Sequence, residues 1–183
     1  MTFSNDFSDA VAACAHACGL RVARMDELPE LRRLATELIS PQVMPLAGLR
    51  MVLRKTRSGI LVFEEAGGAL TGVLAVARVT KEGHEALLTG RFNPLAPTAR
   101  HYAGPGDALS AVYALAVAAR NREAARATVT AITRLRETVM AELPFFARAA
   151  TAAGRRGLIE RLHCSETVGG LFWSPPLRTE RVV

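Results

Sequence analysis

The chain has 183 residues, of which 50% are hydrophobic, so it is long enough for one domain with a substantial core and short for two. Its 23 lysines and arginines exceed its 17 acidic residues, which gives a formal charge of +6. The arginines are scattered and only 5% of the residues are aromatic, so the composition does not predict a nucleic-acid-binding surface. The charge instead favours an anionic small ligand.

The chain lacks the sequence features of export or membrane insertion. No apolar run approaches the roughly 20 residues that a membrane-spanning helix needs. The N-terminal stretch MTFSNDFSDA contains acidic residues and no basic start, unlike a secretory signal. We therefore expect a cytoplasmic protein that does not bind a membrane.

The N-terminal part of the chain predicts three helices and three strands. The alternating stretch Leu20–Arg24 indicates a half-buried strand, and Asp26 followed by Pro29 marks the start of a helix. The Gly67-Gly68 pair predicts a hairpin turn between two strands. The predicted elements are a helix at 7–18 within an N-terminal addition over 5–18, a strand at 20–24, helices at 26–38 and 46–55, and strands at 59–65 and 69–80.

Residues 81–106 form the least regular part of the pattern. Glu85–Thr89 predicts a short strand, and the prolines and glycines of residues 91–106 predict a loop. Long ordered loops in compact domains are often binding elements. We therefore expect residues 81–106 to be an insertion on the substrate side of the domain.

The segment Asp107–Thr138 organises the rest of the chain. Leu109–Ala118 is a nearly unbroken apolar run, which is typical of a strand buried on both faces. From Arg122 onwards the apolar residues recur at helical spacing. A strand–turn–helix junction presents unpaired N–H groups and the positive end of a helix dipole, which suits an anion such as a phosphate. A further hypothesis, a helical regulator or a nucleic-acid binder, would require the run at 109–118 to be helical instead.

The C-terminal part predicts three further elements. They are a strand at 143–149, a helix at 151–162 capped by Thr151, and a last strand at 169–173.

The cysteines predict neither a disulfide framework nor a metal site. Cys14 and Cys18 share one helix face at i, i+4, whereas His16 points elsewhere, and no second ligand pair follows. Cys164 has His163 beside it in sequence only, which is weak support for a nucleophile. We expect free thiols and no metal.

Three stretches of the chain resemble the GNAT superfamily of acyl-CoA-dependent N-acyltransferases, the third being the end of the predicted helix at Ile159–Cys164. Leu115, Val117 and Ala119, followed by the sequence Arg122–Ala127, resemble the family's L-x-V-x-P strand and its Q/R-x-x-G-x-G/A helix start. Alanine stands at 119 for the usual proline and at 125 for the central glycine. Leu20–Leu38 is similar to the family's opening strand and helix.

The resemblance implies an α/β (α+β) fold with a GNAT-like mixed central sheet flanked by helices. The central strand and the strand that follows it would be parallel and splayed at one end. It also implies acetyl-CoA or another acyl-CoA as cofactor, with an unknown small-molecule or peptide amine as acceptor. The implied cofactor-binding residues are Leu115, Ala116, Val117, Arg122, Glu123, Ala124, Ala125, Arg126 and Ala127.

The resemblance does not supply the catalytic acid or base. The family's helix ending Y-x-x-x-G-F carries a proton-donating tyrosine, and here Ile159 stands in its place. The candidates that remain are Asp107, Tyr113 and His101, with Tyr102 beside His101. Two hypotheses therefore stay open, an acyltransferase and a non-catalytic GNAT-like binding or assembly module, and the sequence also leaves a homodimer open.

Overall fold

The structure is a computed structural model and describes residues 6–177. The predicted N-terminal addition begins at residue 5, which lies outside the described residues. The helices are α1 (Asp6–His16), α2 (Leu28–Leu38), α3 (Leu46–Thr56), α4 (Lys81–Leu88), α5 (Arg122–Glu137) and α6 (Ala152–Glu160). The strands are β1 (Arg21–Val22), β2 (Ile60–Glu64), β3 (Leu70–Val79), β4 (Ala111–Ala119), β5 (Phe145–Arg148), β6 (Ser165–Glu166) and β7 (Leu171–Ser174).

The strands of residues 6–177 form one mixed sheet in the order β1-β2-β3-β4-β5-β7-β6. All neighbouring pairs are antiparallel except β4 and β5, which are parallel. The predicted mixed α/β fold with two parallel central strands is therefore confirmed. The strand prediction for Leu109–Ala118 is confirmed as well, and it excludes the helical alternative that this run left open.

Helices cover both faces of the sheet. On the first face α1, α5 and α6 pack around residues such as Val112, Phe145 and Phe172. On the second face α2 and α3 cover β1 to β3, and α4 packs near Tyr113 and Phe146. Because both faces are covered, every residue of β3 is buried, and all of them except Thr71 and Arg78 are apolar or glycine.

The predicted short strand at Glu85–Thr89 is wrong. These residues belong to α4 and its C-terminal end. The Thr80 side chain accepts a hydrogen bond from the Gly83 N–H and so caps the helix. An apolar run of three residues fits a strand or a short helix equally well, and packing against the 3-10 turn Ala99–His101 selects the helix.

Gly72 of β3 sets how closely α5 approaches the sheet. A Cβ at this position would lie 3.1 Å from the Cβ of Ala124 and 3.0 Å from that of Phe63. The N-terminal turn of α5 can therefore rest directly on the strand. This contact places the start of α5 at the end of β4, where the candidate site lies.

Among residues 6–177, no helix is both long enough and apolar enough to cross a membrane.

Candidate functional site

The two parallel strands separate part of the way along β4. β5 pairs with β4 only from Val112↔Phe145 to Ala114↔Ala147. β4 then continues to Ala119, whereas β5 ends at Arg148. On the side facing β5, the main-chain N–H and C=O groups of Leu115–Ala119 therefore have no strand partner.

A β-bulge lies at the point of separation. Ala75 pairs with Ala116 and Val76 pairs with Ala114, so Leu115 is one extra residue on β4. A bulge bends its strand and turns successive side chains to the same face, and bulges are common beside active sites. Here the bulge bends β4 where β5 leaves it.

The separation opens into a cleft of about 920 Å³. Its walls are β4, the N-terminal half of α5, the end of β5 and α6. The last residues of α2 also line it, at Leu38 and Ile39, although α2 lies on the opposite face of the sheet from α5 and α6. The cleft is thus open to both faces of the sheet at the split.

The cleft is strongly basic. The guanidinium-bearing residues in its lining are Arg122, Arg126, Arg148, Arg156 and Arg161. Within residues 6–177 Glu160 is the acidic residue in this lining, and none of these arginines forms an ion pair with a described carboxylate. Unpaired cations around a concave surface attract anionic ligands. The volume and the charge together fit a nucleotide-sized polyanion.

The start of α5 points into this cleft. Asn121 is the N-cap, and its side-chain oxygen accepts from the Ala124 N–H at 2.9 Å. The Asn121 amide in turn donates to Glu65 at 2.5 Å, which fixes the cap to the β2–β3 hairpin. The N–H groups of Arg122 and Glu123 precede the first intrahelical bond, from Ala125 to Asn121, and remain available to a ligand.

The residues predicted to bind the cofactor divide into two groups. Leu115, Ala116, Val117, Arg122, Ala125 and Arg126 all line the cleft. Glu123, Ala124 and Ala127 are outside its lining. Ala124 is buried against β3 with its N–H engaged by the cap, Ala127 packs on the core, and Glu123 is exposed.

Of the three predicted catalytic candidates, the structure places one at the split. Tyr113 is 3% exposed and precedes Ala114, the last residue of β4 that pairs with β5. Burial raises the pKa of its hydroxyl, while Arg148 hydrogen-bonds it and opposes that rise. Tyr113 is therefore protonated at neutral pH and can donate a hydrogen bond.

Tyr113 itself is not among the residues that line the cleft, and neither are the other two candidates. Asp107 accepts from the Gly104 N–H at 2.8 Å and lies 3.7 Å from Lys55 Nζ, so it holds the turn before β4. The His101 ring stacks on Phe92, with ring centroids 5.7 Å apart. Tyr102 is fully buried, and burial raises its pKa. Phe92 and Tyr102 pack the segment 81–106 onto the second face of the sheet.

Sequence reasoning missed His84. Its Nδ1 lies 2.9 Å from the Ser110 hydroxyl oxygen. Its ring packs edge-on against that of Phe146, with the ring centroids 5.3 Å apart. Burial lowers its pKa, so the imidazole is neutral at pH 7. The predicted strand begins only at Glu85, and no local pattern in the sequence places His84 next to β5.

The prediction of free thiols fits the described residues, and these contain no cluster of three or more metal-ligating side chains. Burial raises the pKa of Cys164, as it does for Cys14. Both thiols are therefore protonated at neutral pH. A role as nucleophile for Cys164 has no support in its surroundings.

Comparisons with known proteins identify the class of fold. No protein-family model matches the chain, and no curated protein matches it in sequence. Its structure is similar to the crystal structure of a "histone acetyltransferase HPA2 and related acetyltransferase" from Corynebacterium glutamicum, with a TM-score of 0.51 and 16% identity over 88% of this chain and 97% of that chain. The chain therefore has a GNAT-like fold, and at this identity the likeness is one of fold alone.

Proposed function

We propose that the protein is an acyl-CoA-dependent N-acyltransferase that uses acetyl-CoA or another acyl-CoA. The observation that carries the proposal is the split between β4 and β5, which opens into an arginine-lined cleft at the start of α5. A GNAT-like fold makes this the expected place for the acyl donor. A cytoplasmic location and an amine acceptor are parts of the same proposal.

The residues of the cleft fit the parts of coenzyme A in order. The free N–H groups at the start of α5, with Arg122 and Arg126, would hold the diphosphate. The unpaired main-chain groups of Leu115–Val117 would hydrogen-bond the pantetheine amides as an added strand does. Arg156 and Arg161 on α6 form the opposite basic wall.

When bound, the acyl-CoA supplies a thioester carbonyl that the acceptor nitrogen attacks, forming a C–N bond as the C–S bond breaks. The reaction needs an amine that has lost its proton and a stabilised leaving thiolate. Tyr113 is the predicted candidate nearest the split; its side chain is outside the cleft lining, and its protonated hydroxyl is a group that can donate a hydrogen bond to the thiolate. Asp107 and His101 serve the fold instead.

A second function is favoured by the scarcity of titratable groups. The described lining of the cleft carries Glu160 and arginines, with no histidine, cysteine or tyrosine. Ile159, at the position of the family's tyrosine, is 40% exposed and outside this lining. A GNAT-like module that binds CoA without catalysis would have the same features.

Calorimetry and turnover together test both functions. Acetyl-CoA should bind and raise the melting temperature. Arg122→Glu places a negative charge at the proposed diphosphate and should weaken binding by more than about 100-fold, since it replaces a charge-assisted contact with repulsion. Arg50→Glu makes the same charge change on the exposed surface of α3 and should leave the affinity unchanged.

The outcomes separate the alternatives. CoA release above the uncatalysed rate with any amine of a broad panel supports the enzyme. Tight binding of acetyl-CoA without release supports the binding module. No heat of binding at millimolar acetyl-CoA would contradict both.

A further inference from the structure

The second face of the split carries a cation that has no described carboxylate partner. Side chains alternate along a strand, so Arg148 lies on the same face as Phe146, which packs beside Tyr113. This face is opposite to the one covered by α5 and α6, where the cofactor is proposed to bind. Arg148 also lines the cleft, so its guanidinium lies where an acceptor would approach the split from the second face.

Two neutral groups hold Arg148 in place. Its Nη1 donates to the Gly169 carbonyl, and it hydrogen-bonds the Tyr113 hydroxyl. Gly169 and Gly170 adopt φ values of +75° and +70°, which favour glycine and shape the turn that presents this carbonyl. A guanidinium has five N–H donors, so several remain free for a ligand.

The charges around this face are unsuited to a cationic acceptor. Asp107 is 3.7 Å from Lys55, and Glu82 is 2.9 Å from Arg100, so both carboxylates are already paired. Glu85 is exposed on α4, and Glu160 is on α6 on the other face. A polyamine or a lysine-rich peptide would meet Arg148 without a compensating carboxylate at the split.

We propose that the acceptor is a small amine that also bears an oxyanion, a carboxylate or a phosphate, and that Arg148 binds this oxyanion. The inference rests on the proposed acyltransferase function. Arginine forms two parallel hydrogen bonds with a carboxylate or a phosphate, which fixes the position of the ligand as well as its charge. The acceptor nitrogen is thereby held next to the split, where the thioester would lie.

Matched acceptors test the proposal. The twenty standard amino acids are compared with their carboxamides, and phosphoethanolamine with ethanolamine, by CoA release from acetyl-CoA. The amine of a carboxamide has the lower pKa, so a preference for the carboxylate cannot result from amine reactivity. We expect at least one anionic acceptor to exceed its neutral counterpart by about 10- to 100-fold in kcat/KM, the factor for a hydrogen bond to a charged group. A preference among the amino acids would show that Arg148 binds a carboxylate, and a preference for phosphoethanolamine would show that it binds a phosphate.

Variants of Arg148 identify the residue responsible. Arg148→Gln should reduce the ratio of kcat/KM for the anionic acceptor over its neutral counterpart to about 1; this ratio, and not the absolute rate, is the readout, because Arg148 also hydrogen-bonds Tyr113. Arg148→Lys should restore part of the preference. Arg155→Gln is the matched control, because Arg155 is paired with Glu166 at 2.7 Å and lies outside the cleft lining.

Three results would overturn the inference. The first is that neutral or dicationic amines are used as well as or better than anionic ones. The second is that the preference for anionic acceptors survives Arg148→Gln. The third is that acetyl-CoA binds, but no anionic amine is acetylated and none binds in calorimetry. In each of these three results acetyl-CoA still binds. Failure of the proposed function is different, because acetyl-CoA would then not bind at all.

Discussion

The two ends of α5 use arginine in opposite ways. Near its C-terminal end Arg136 is 1% exposed and donates to the carbonyls of Met140, Leu143 and Pro175 and to the Ser174 hydroxyl. At its N-terminal end Arg122 and Arg126 are exposed, line the cleft and have no described carboxylate partner. The same side chain thus fixes the fold at one end and is available to a ligand at the other.

The difference shows that stability and binding are separable along one helix. A buried guanidinium is tolerated when main-chain carbonyls replace water, and its removal leaves any carbonyl that has no other donor unpaired. An exposed guanidinium contributes little to stability because water already solvates it. Substitutions at the two ends should therefore change different measured quantities.

The largest expected effect is at Arg136. Arg136→Met removes its hydrogen bonds and leaves the Leu143 carbonyl without this donor, so we expect the free energy of unfolding to fall by about 2–4 kcal/mol. Urea denaturation measures this. Arg134→Met, on the exposed surface of the same helix, should change it by no more than about 0.5 kcal/mol. If Arg136→Met lowered the free energy of unfolding by no more than Arg134→Met does, the contacts of Arg136 would not stabilise the fold.

The opposite pattern is expected at Arg126. Arg126→Gln should raise the Kd for acetyl-CoA about 10-fold, as expected for one charge-assisted hydrogen bond, with little change in the unfolding free energy. A higher salt concentration should also weaken acetyl-CoA binding less in the variant than in the parent, because the variant lacks one charge–charge interaction that salt screens. Calorimetry at two ionic strengths measures both, with Arg50→Gln as control. An unchanged Kd would remove Arg126 from the proposed site.

A smaller effect is expected at Ala125, a residue that affects both the stability of α5 and the proposed binding of acetyl-CoA. Ala125→Gly should lower the free energy of unfolding by about 1 kcal/mol, the cost of glycine in a helix. Its backbone could then approach the diphosphate more closely, so the Kd for acetyl-CoA should fall. Calorimetry and urea denaturation on one preparation give both values. Weaker CoA binding would mean that the alanine methyl contacts the ligand favourably.

The smallest effect concerns His84 and pH. Burial lowers its folded-state pKa below the ordinary value of 6.5, and Ser110, Phe146 and Glu85 are the groups around it. The unfolded chain therefore binds a proton more readily, and the contribution of His84 is present above pH 6.5 and is lost as pH falls through the folded pKa. His84→Gln should reduce the fall in stability between pH 7 and pH 5. Identical pH profiles for the two proteins would contradict this prediction.

The sequence by itself determined the local structure around the candidate site. The change from a continuous apolar run to helical spacing predicts β4 followed by α5, because burial on both faces and an amphipathic helix leave distinct periods. Thr151 is predicted to cap the C-terminal helix, and it does so. The short apolar run at Glu85–Thr89 has no such distinct period, and there the prediction failed.

Only the tertiary structure decided how distant segments form the site. The split depends on the register of β4 with β5, and the bulge at Leu115 depends on its pairing with β3, neither of which leaves a local pattern. Arg148 and Gly169 are 21 residues apart in sequence, and His84 and Ser110 are 26 apart, yet both pairs are hydrogen-bonded. Residue type and period report what one segment buries, whereas a site at a sheet split is made by which segments become neighbours.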